Sequence, residues 1–201
     1  MKLEKKGEII GWWSGGVTSA VACHFLIEKY GIENCRFVFQ DTKNEDADTY
    51  RFKRDCEKWY GKEIESITAL GDKYKTIQDV WRKYKSLNVA RGAICSSTLK
   101  RELRVLWQKS NTYTVQAFGF DNSEKNRAKN MAKNYPDAMP VFPLIEADIS
   151  KPDCIVLLAS EGIPIPAAYA MGFHNNNCLS TGCIQGGHGY WEKMRVEHPE
   201  K

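Results

Sequence analysis

The sequence predicts an α/β fold: a parallel five-stranded sheet with helices on both faces. Two observations carry that expectation. Short apolar, strand-like runs alternate with segments of helical apolar spacing from residue 7 to residue 161. No internal repeat, low-complexity stretch or linker interrupts the 201 residues, so residues 1–201 read as one domain. Within it, 163–201 reads as a loop-rich extension containing cysteines.

Residues 7–13, Gly-Glu-Ile-Ile-Gly-Trp-Trp, form the first strand, and Val17 to Tyr30 the first helix, stopped by Gly31. Cys35 to Gln40 is the second strand, closed by Asp41-Thr42, and Glu45 to Tyr60 a charged amphipathic helix ended by Gly61. Glu63 to Thr68 is the third strand. Thr76 to Leu87 and Ser97 to Lys109 follow as helices, with an irregular stretch at 88–96 between them. Tyr113 to Phe118 is the fourth strand, followed by Gly119 and a polar helix over 123–134. Met139 to Phe142 is a short fifth strand, and Ile149 to Glu161 a helix opened by Ser150-Lys-Pro-Asp. Beyond Ile163-Pro-Ile-Pro the periodicity is lost in a Gly/Asn/Cys-rich tail.

Composition is that of an ordinary globular protein, 42% hydrophobic and 27% charged. The net charge of +4 is a mild bias, compatible with phosphate-bearing ligands. No run approaches the roughly 18 apolar residues of a membrane span, and the charged N-terminus has no apolar targeting core, so a cytoplasmic location without membrane contact is expected. Seven cysteines are an odd number for a disulfide framework. Cys23, Cys35, Cys56 and Cys154 fall in regular elements, where cysteine serves as a small buried hydrophobe. Cys95, Cys178 and Cys183 sit in Gly/Ser/Asn-rich surroundings.

Ser14-Gly15-Gly16-Val17-Thr18-Ser19 stands between the first strand and the first helix. Glycines there let the backbone approach an anion, and the helix N-terminus aims N–H groups and a positive dipole end at it. No lysine occupies the place that a Walker loop requires. Alone, the pattern is also compatible with a plain tight turn.

The segment resembles the Ser-Gly-Gly-x-x-Ser loop of the PP-loop ATP pyrophosphatases, in particular their PAPS-reductase-like branch. Asp41-Thr42 is similar to the family's Asp-Thr-Gly, with Lys43 in place of the glycine. Gly119-Phe-Asp-Asn-Ser-Glu124-x-x-Arg127 resembles its segment after the fourth strand, and Pro143-Leu144, Gly162-Ile-Pro-Ile-Pro166, Tyr169 and Gly172-Phe173 follow its C-terminal half. The resemblance implies a Rossmann-like, adenine nucleotide alpha hydrolase-like fold. It also implies cleavage of ATP to AMP and pyrophosphate to adenylate an acceptor. Ser14, Gly15, Gly16, Val17, Thr18, Ser19, Asp41, Thr42 and Gly119 would bind the nucleotide, and Asp41 would help to hold Mg2+. Lys100 (or Arg101) and Arg127 would contact phosphate or acceptor.

Arg91 to Arg101, around Cys95, resembles the place where iron–sulfur reductases of the family carry a Cys-Cys pair. Cys178 and Cys183 flank a glycine in the tail. The three cysteines are candidate ligands of a [4Fe-4S] cluster. Zinc, with His188 as fourth ligand, and unligated thiols remain alternatives. Residues 194–201 contain none of the nucleophilic cysteine with which sulfonucleotide reductases attack their substrate. The leading expectation is therefore an ATP-dependent adenylyl or sulfur transferase. A PAPS/APS reductase and a non-catalytic adenine-nucleotide-binding module are the alternatives. A nucleic-acid or small-molecule acceptor, a sulfur-donor protein and a homo-oligomer are the expected partners.

Overall fold

The computed structural model describes residues 7–89, 92–176 and 178–201; Arg91 and Asn177, both in the cysteine segments, lie outside them. The first strand, β1 (Glu8–Trp13), is central. Its side chains alternate between two cores: Ile9 and Trp13 join the larger one, Ile10 and Trp12 the smaller. Because both faces are covered, the strand reads as an almost unbroken apolar run. α1 (Val17–Tyr30) follows, then β2 (Cys35–Gln40) and α2 (Ala47–Tyr60). The Asp46 carboxylate accepts the Asp48 N–H and so caps α2, two residues later than the sequence predicts. β3 (Ile64–Ile67) and α3 (Ile77–Tyr84) come next.

Residues 88–96 are not irregular, as the sequence suggested. A small antiparallel hairpin, β4 (Asn88–Val89) and β5 (Gly92–Ala93), leads into α4 (Ile94–Ser96), a π-helical segment Ser97–Glu102 and α5 (Leu103–Ser110). β6 (Tyr113–Phe118) is followed by α6 (Lys125–Asn134), and β7 (Pro140–Val141) is the short fifth strand of the main sheet. α7 (Pro143–Glu146) and α8 (Lys151–Ser160) follow. Ser150 and Asp153 form the capping box of α8.

The tail also departs from expectation: it contains α9 (Ala167–Ala170) and a ten-residue helix, α10 (His188–Glu197). Met194, Tyr190 and Trp191 pack α10 against Phe173 and Leu179 in a satellite core. That packing fixes a helix whose own sequence is too polar to announce itself.

The main sheet runs β3-β2-β1-β6-β7 with every pair parallel. α1, α2 and α8 contribute to the larger core on one face, while Trp107 of α5 packs in the core on the other. The chain winds outward from β1 through β2 to β3, then returns to place β6 on the other side of β1. Such a reversal opens a crevice at the carboxyl ends of the two diverging strands. Among the described residues no helix is long and apolar enough to cross a membrane.

Candidate functional site

The phosphate loop leaves β1 at that crevice. Gly15 has φ +86°, a left-handed conformation, and a Cβ there would lie 2.8 Å from Thr49 Cγ2. Gly16 is the N-cap of α1 with ordinary extended geometry (φ −95°). The first glycine is therefore demanded by backbone conformation, whereas the second leaves room for an anion. Ser19 Oγ donates to the Gly16 carbonyl at 2.8 Å and accepts from the Ser14 N–H and Ser14 Oγ, both at 3.0 Å. The Val17 side chain lies in the larger core, so only its backbone N–H can serve a ligand. Thr18 is half-buried and Ser14 exposed. Gly119, at the end of β6, contributes by having no side chain: a Cβ would come within 2.5 Å of Ser19 Cα.

Two residues from the tail lock this loop, and sequence reasoning did not give either of them a role. Buried Asn176 donates through Nδ2 to the Gly15 carbonyl (2.8 Å) and to Thr49 Oγ1 (3.0 Å). Tyr169 accepts the Val17 N–H at 3.3 Å on its hydroxyl. Both partners lie more than 150 residues away from the loop in sequence.

Asp41 and Thr42 stand at the end of β2, both buried. Asp41 Oδ1 accepts from the Lys43 N–H (2.7 Å) and the Tyr50 hydroxyl (2.9 Å), and Oδ2 accepts from Lys43 Nζ (2.7 Å). Lys43 adopts φ +55°, the left-handed region, at the position where the resembled pattern has glycine. Here the lysine tolerates that strain and places its ammonium on Asp41. A magnesium ion at Asp41 would have to displace this ammonium. The Tyr50 hydroxyl is pushed above its ordinary pKa by burial and by Asp41.

Thr42 donates to Glu45 Oε1 at 2.9 Å, and its hydroxyl lies 4.0 Å from Cys178 Sγ. Lys100 Nζ lies 3.7 Å from the same Glu45 oxygen. Burial lowers the Lys100 pKa, but the charges of Glu45, Cys178, Cys183 and Cys95 outweigh it and the net shift is upward. The ammonium thus lies in the field of all three singled-out cysteines. Burial first, then Glu45, pushes the Cys178 thiol up to about 11, while Lys100 pulls it down. Burial also raises Cys183, and the charge of Cys95 adds to the rise. Cys95 is not in a loop: it sits in α4, packed in part against the cluster of Tyr74, Ile77, Val80, Ile94 and Leu99.

The other four cysteines, Cys23, Cys35, Cys56 and Cys154, are buried in the larger core, as their setting in regular elements implied. Cys95, Cys178 and Cys183 are half-buried. The three half-buried thiols are donors of the kind that iron or zinc accepts. A ready-made single-ion site does not fit: among the described residues no three His, Cys, Asp or Glu side chains are set to hold a metal ion. His188, the fourth ligand considered for zinc, is exposed at the first position of α10.

Arg127 is exposed, bonded to Glu124 Oε1 at 2.6 Å and laid over the Phe120 ring at 4.3 Å. Among the described residues its bonds are to Glu124 and the Phe120 ring, and none reaches residues 14–19. Arg101, the alternative to Lys100, is half-buried on the π-helical segment.

Among the solved structures that share this architecture, two illustrate it. Phosphoadenylyl-sulfate (PAPS) reductase from Candida auris, in a phosphate complex, superposes with a TM-score of 0.59 at 15% identity, over 84% of this chain and 79% of that one. The U34-tRNA thiolase NcsA from Methanococcus maripaludis, with its [4Fe-4S] cluster, gives 0.55 at 15% identity, over 98% of this chain and 68% of that one. At such identity the likeness is one of fold. No curated protein sequence matches the chain. The sequence model of the phosphoadenosine phosphosulfate reductase domain matches residues 8–186, from the start of β1 through the loop, the Asp41 turn and all three half-buried cysteines, and the chain belongs to that family.

Proposed function

We propose that this chain binds ATP on residues 14–19, cleaves it between the α and β phosphates, and adenylates an acceptor oxygen in preparation for sulfur transfer. Cys95, Cys178 and Cys183 hold a [4Fe-4S] cluster in this reading. The observation that carries it is the attachment of the cysteine segment to the nucleotide side of the sheet. Asn176 bonds to the loop, Ser180 and Thr181 bond to Asn44 and Glu45, and Cys178 adjoins Thr42. NcsA, similar in fold, carries such a cluster.

The backbone N–H groups at the start of α1, with the hydroxyls of Ser14, Thr18 and Ser19, seat the pyrophosphate portion. Asp41 is the carboxylate available to Mg2+, which neutralises phosphate charge when bound. The acceptor oxygen attacks the α-phosphorus, the α–β bridging P–O bond breaks, and the electron pair leaves with pyrophosphate. A sulfur nucleophile then takes the acceptor carbon, and AMP leaves with the former acceptor oxygen. The Lys100 ammonium, beside Glu45, lowers the cost of thiolates at the cysteines. The cluster, when bound, supplies an iron with an open position for sulfide.

The test is anaerobic purification with iron and zinc analysis and a visible spectrum, followed by assays of AMP and pyrophosphate. We expect iron and an absorbance that vanishes in Cys95→Ser, and AMP and pyrophosphate released in equal amounts. The family's own description favours a second reading, reduction of PAPS. Sulfite released from PAPS at the expense of thioredoxin would establish it in place of the first.

A further inference from the structure

The helical run 94–110 starts at the carboxyl ends of the strands and continues over the second face of the sheet, where Trp107 reaches Tyr113, the first residue of β6. The carbonyl of Lys100 accepts from Gln40 Nε2 at 2.6 Å, which moors the run to the last residue of β2. Four residues later, the Arg104 guanidinium lies 5.3 Å from the ring of Phe118, the last residue of β6. β2 and β6 flank β1 on opposite sides. Lys100 and Arg104 therefore stand at the carboxyl ends of the two strands that flank β1, the strand from which the phosphate loop departs. The π-helical turn at Ser97–Glu102 lies at this end of the run, the kind of distortion often found at functional sites.

Arg104 is unusual among the arginines. It is only 5% exposed, and its Nη1 is buried without a hydrogen-bond partner. Its guanidinium is flanked by Phe118 and, at 5.0 Å, by Tyr135. Arg101, one turn earlier, adds a second positive charge close enough to act on it. Arg36, Arg51, Arg82 and Arg127 each bond to a carboxylate. Among the described residues no carboxylate pairs with Arg101 or Arg104. A buried cation is costly unless an anion or a full set of hydrogen bonds answers it. Beyond Phe118, Phe120 and Phe142 stack at 5.6 Å and 9°, and Arg127 covers Phe120.

We infer that Arg104, assisted by Arg101, forms a second anion subsite that takes a phosphomonoester or phosphodiester group of the acceptor. The planar guanidinium offers a fork of donors that matches phosphate oxygens. The assignment to the acceptor rests on the proposed function; the binding of the anion does not.

The probes are inorganic phosphate, AMP and a single-stranded oligonucleotide, each titrated with the loop saturated by a non-hydrolysable ATP analogue and again without it. Arg104→Met keeps the bulk between the rings and removes the charge; Arg101→Ala is the milder, less buried variant. Arg104→Met is expected to bind the phosphate probes at least about tenfold more weakly and to melt no lower than the parent. Arg101→Ala should weaken them about threefold, and for the oligonucleotide each variant should reduce the salt dependence by about one ion. Arginine-dependent binding of the oligonucleotide alone identifies a nucleic-acid backbone as the source; equal dependence for AMP identifies a free nucleotide. A lower melting temperature in Arg104→Met with unchanged affinities in both variants would make Arg104 a stacking element only and overturn the inference. If the ATP analogue fails to bind while phosphate binding still depends on Arg104, the proposed function fails and the subsite stands.

Discussion

The phosphate loop and the cysteine segment meet on one side of the sheet but are held in different ways. The loop is continuous with β1 and α1, and its neighbours Trp13, Val17 and Ala20 are core residues. The segment 174–187 has no helix or strand among its described residues; Leu179 alone of its apolar side chains is fully buried, in the satellite core, and the rest is placed by side-chain bonds of Asn176, Ser180 and Thr181. Backbone in a core resists displacement, whereas a polar latch opens at the cost of a few hydrogen bonds. The loop half of the proposed site is thus preformed, and the segment that carries Cys178 and Cys183 is the less firmly held.

That contrast is broken most severely at Gly15. Gly15→Val forces a β-branched residue to φ +86° and drives Cβ into Thr49. Nucleotide affinity is expected to fall by about a hundredfold or more in calorimetry, several kcal/mol of combined strain and displacement. Gly16→Ala meets only the Tyr169 hydroxyl, at 3.4 Å, and should keep the fold and its melting temperature. Equal nucleotide affinity in Gly15→Val and the parent would remove the loop from the account.

Asn176→Ala cuts the latch and leaves the Gly15 carbonyl and Thr49 hydroxyl without this partner. The expected cost is about 1–3 kcal/mol in urea unfolding, with faster hydrogen exchange over 174–187 than over α1. Uniform exchange across both regions would show that they do not differ as described.

Much of the loop half was legible in the sequence because its signals are local. An apolar run, a Gly-Gly turn and a helix of the right spacing follow one another, and β1, α1 and β2 fall within a residue of the expected bounds. The thiol half depends on pairs such as Asn176 with Gly15 and Lys100 with Glu45, which chain order does not announce. Asn176 stands among other asparagines with nothing to single it out. α10 was hidden because the satellite core under Met194 is assembled from Phe173 and Leu179, outside the helix itself. Lys43 was visible only as a departure from a glycine; its φ of +55° and its bond to Asp41 give that departure a physical role.

Lys43→Gly sharpens the comparison at the β2 turn. Glycine relieves the left-handed strain, about 1 kcal/mol, while the lost ion pair, exposed on the lysine side, costs a similar or smaller amount, so stability should change little. Asp41 Oδ2 loses its ammonium partner while Oδ1 keeps the backbone N–H and the Tyr50 hydroxyl, and the magnesium concentration for half-maximal nucleotide binding should fall severalfold. No change in that concentration would place the metal elsewhere.

The smallest effect concerns the core behind the loop. His24 of α1 stacks on Trp59 at 4.1 Å, and burial lowers its pKa below 6.5, with Glu28 opposing. The unfolded chain binds the proton more readily, so this contribution is present above pH 6.5 and is lost as pH falls through the lowered folded value. His24→Gln should flatten the dependence of unfolding free energy on pH between about 7 and 5. A stability that instead rises on acidification in the parent and not in the variant would reverse the sign.

The central claim, that loop and thiols form one site, is tested most directly by alkylation of the metal-free protein, read at each cysteine by mass spectrometry with and without a non-hydrolysable ATP analogue. Cys95, Cys178 and Cys183 should react faster than the four core cysteines, and the analogue should slow Cys178 and Cys183 by about threefold or more, consistent with a latch tightened by an occupied loop. Saturating binding of the analogue with unchanged rates at Cys178 and Cys183 would contradict the account.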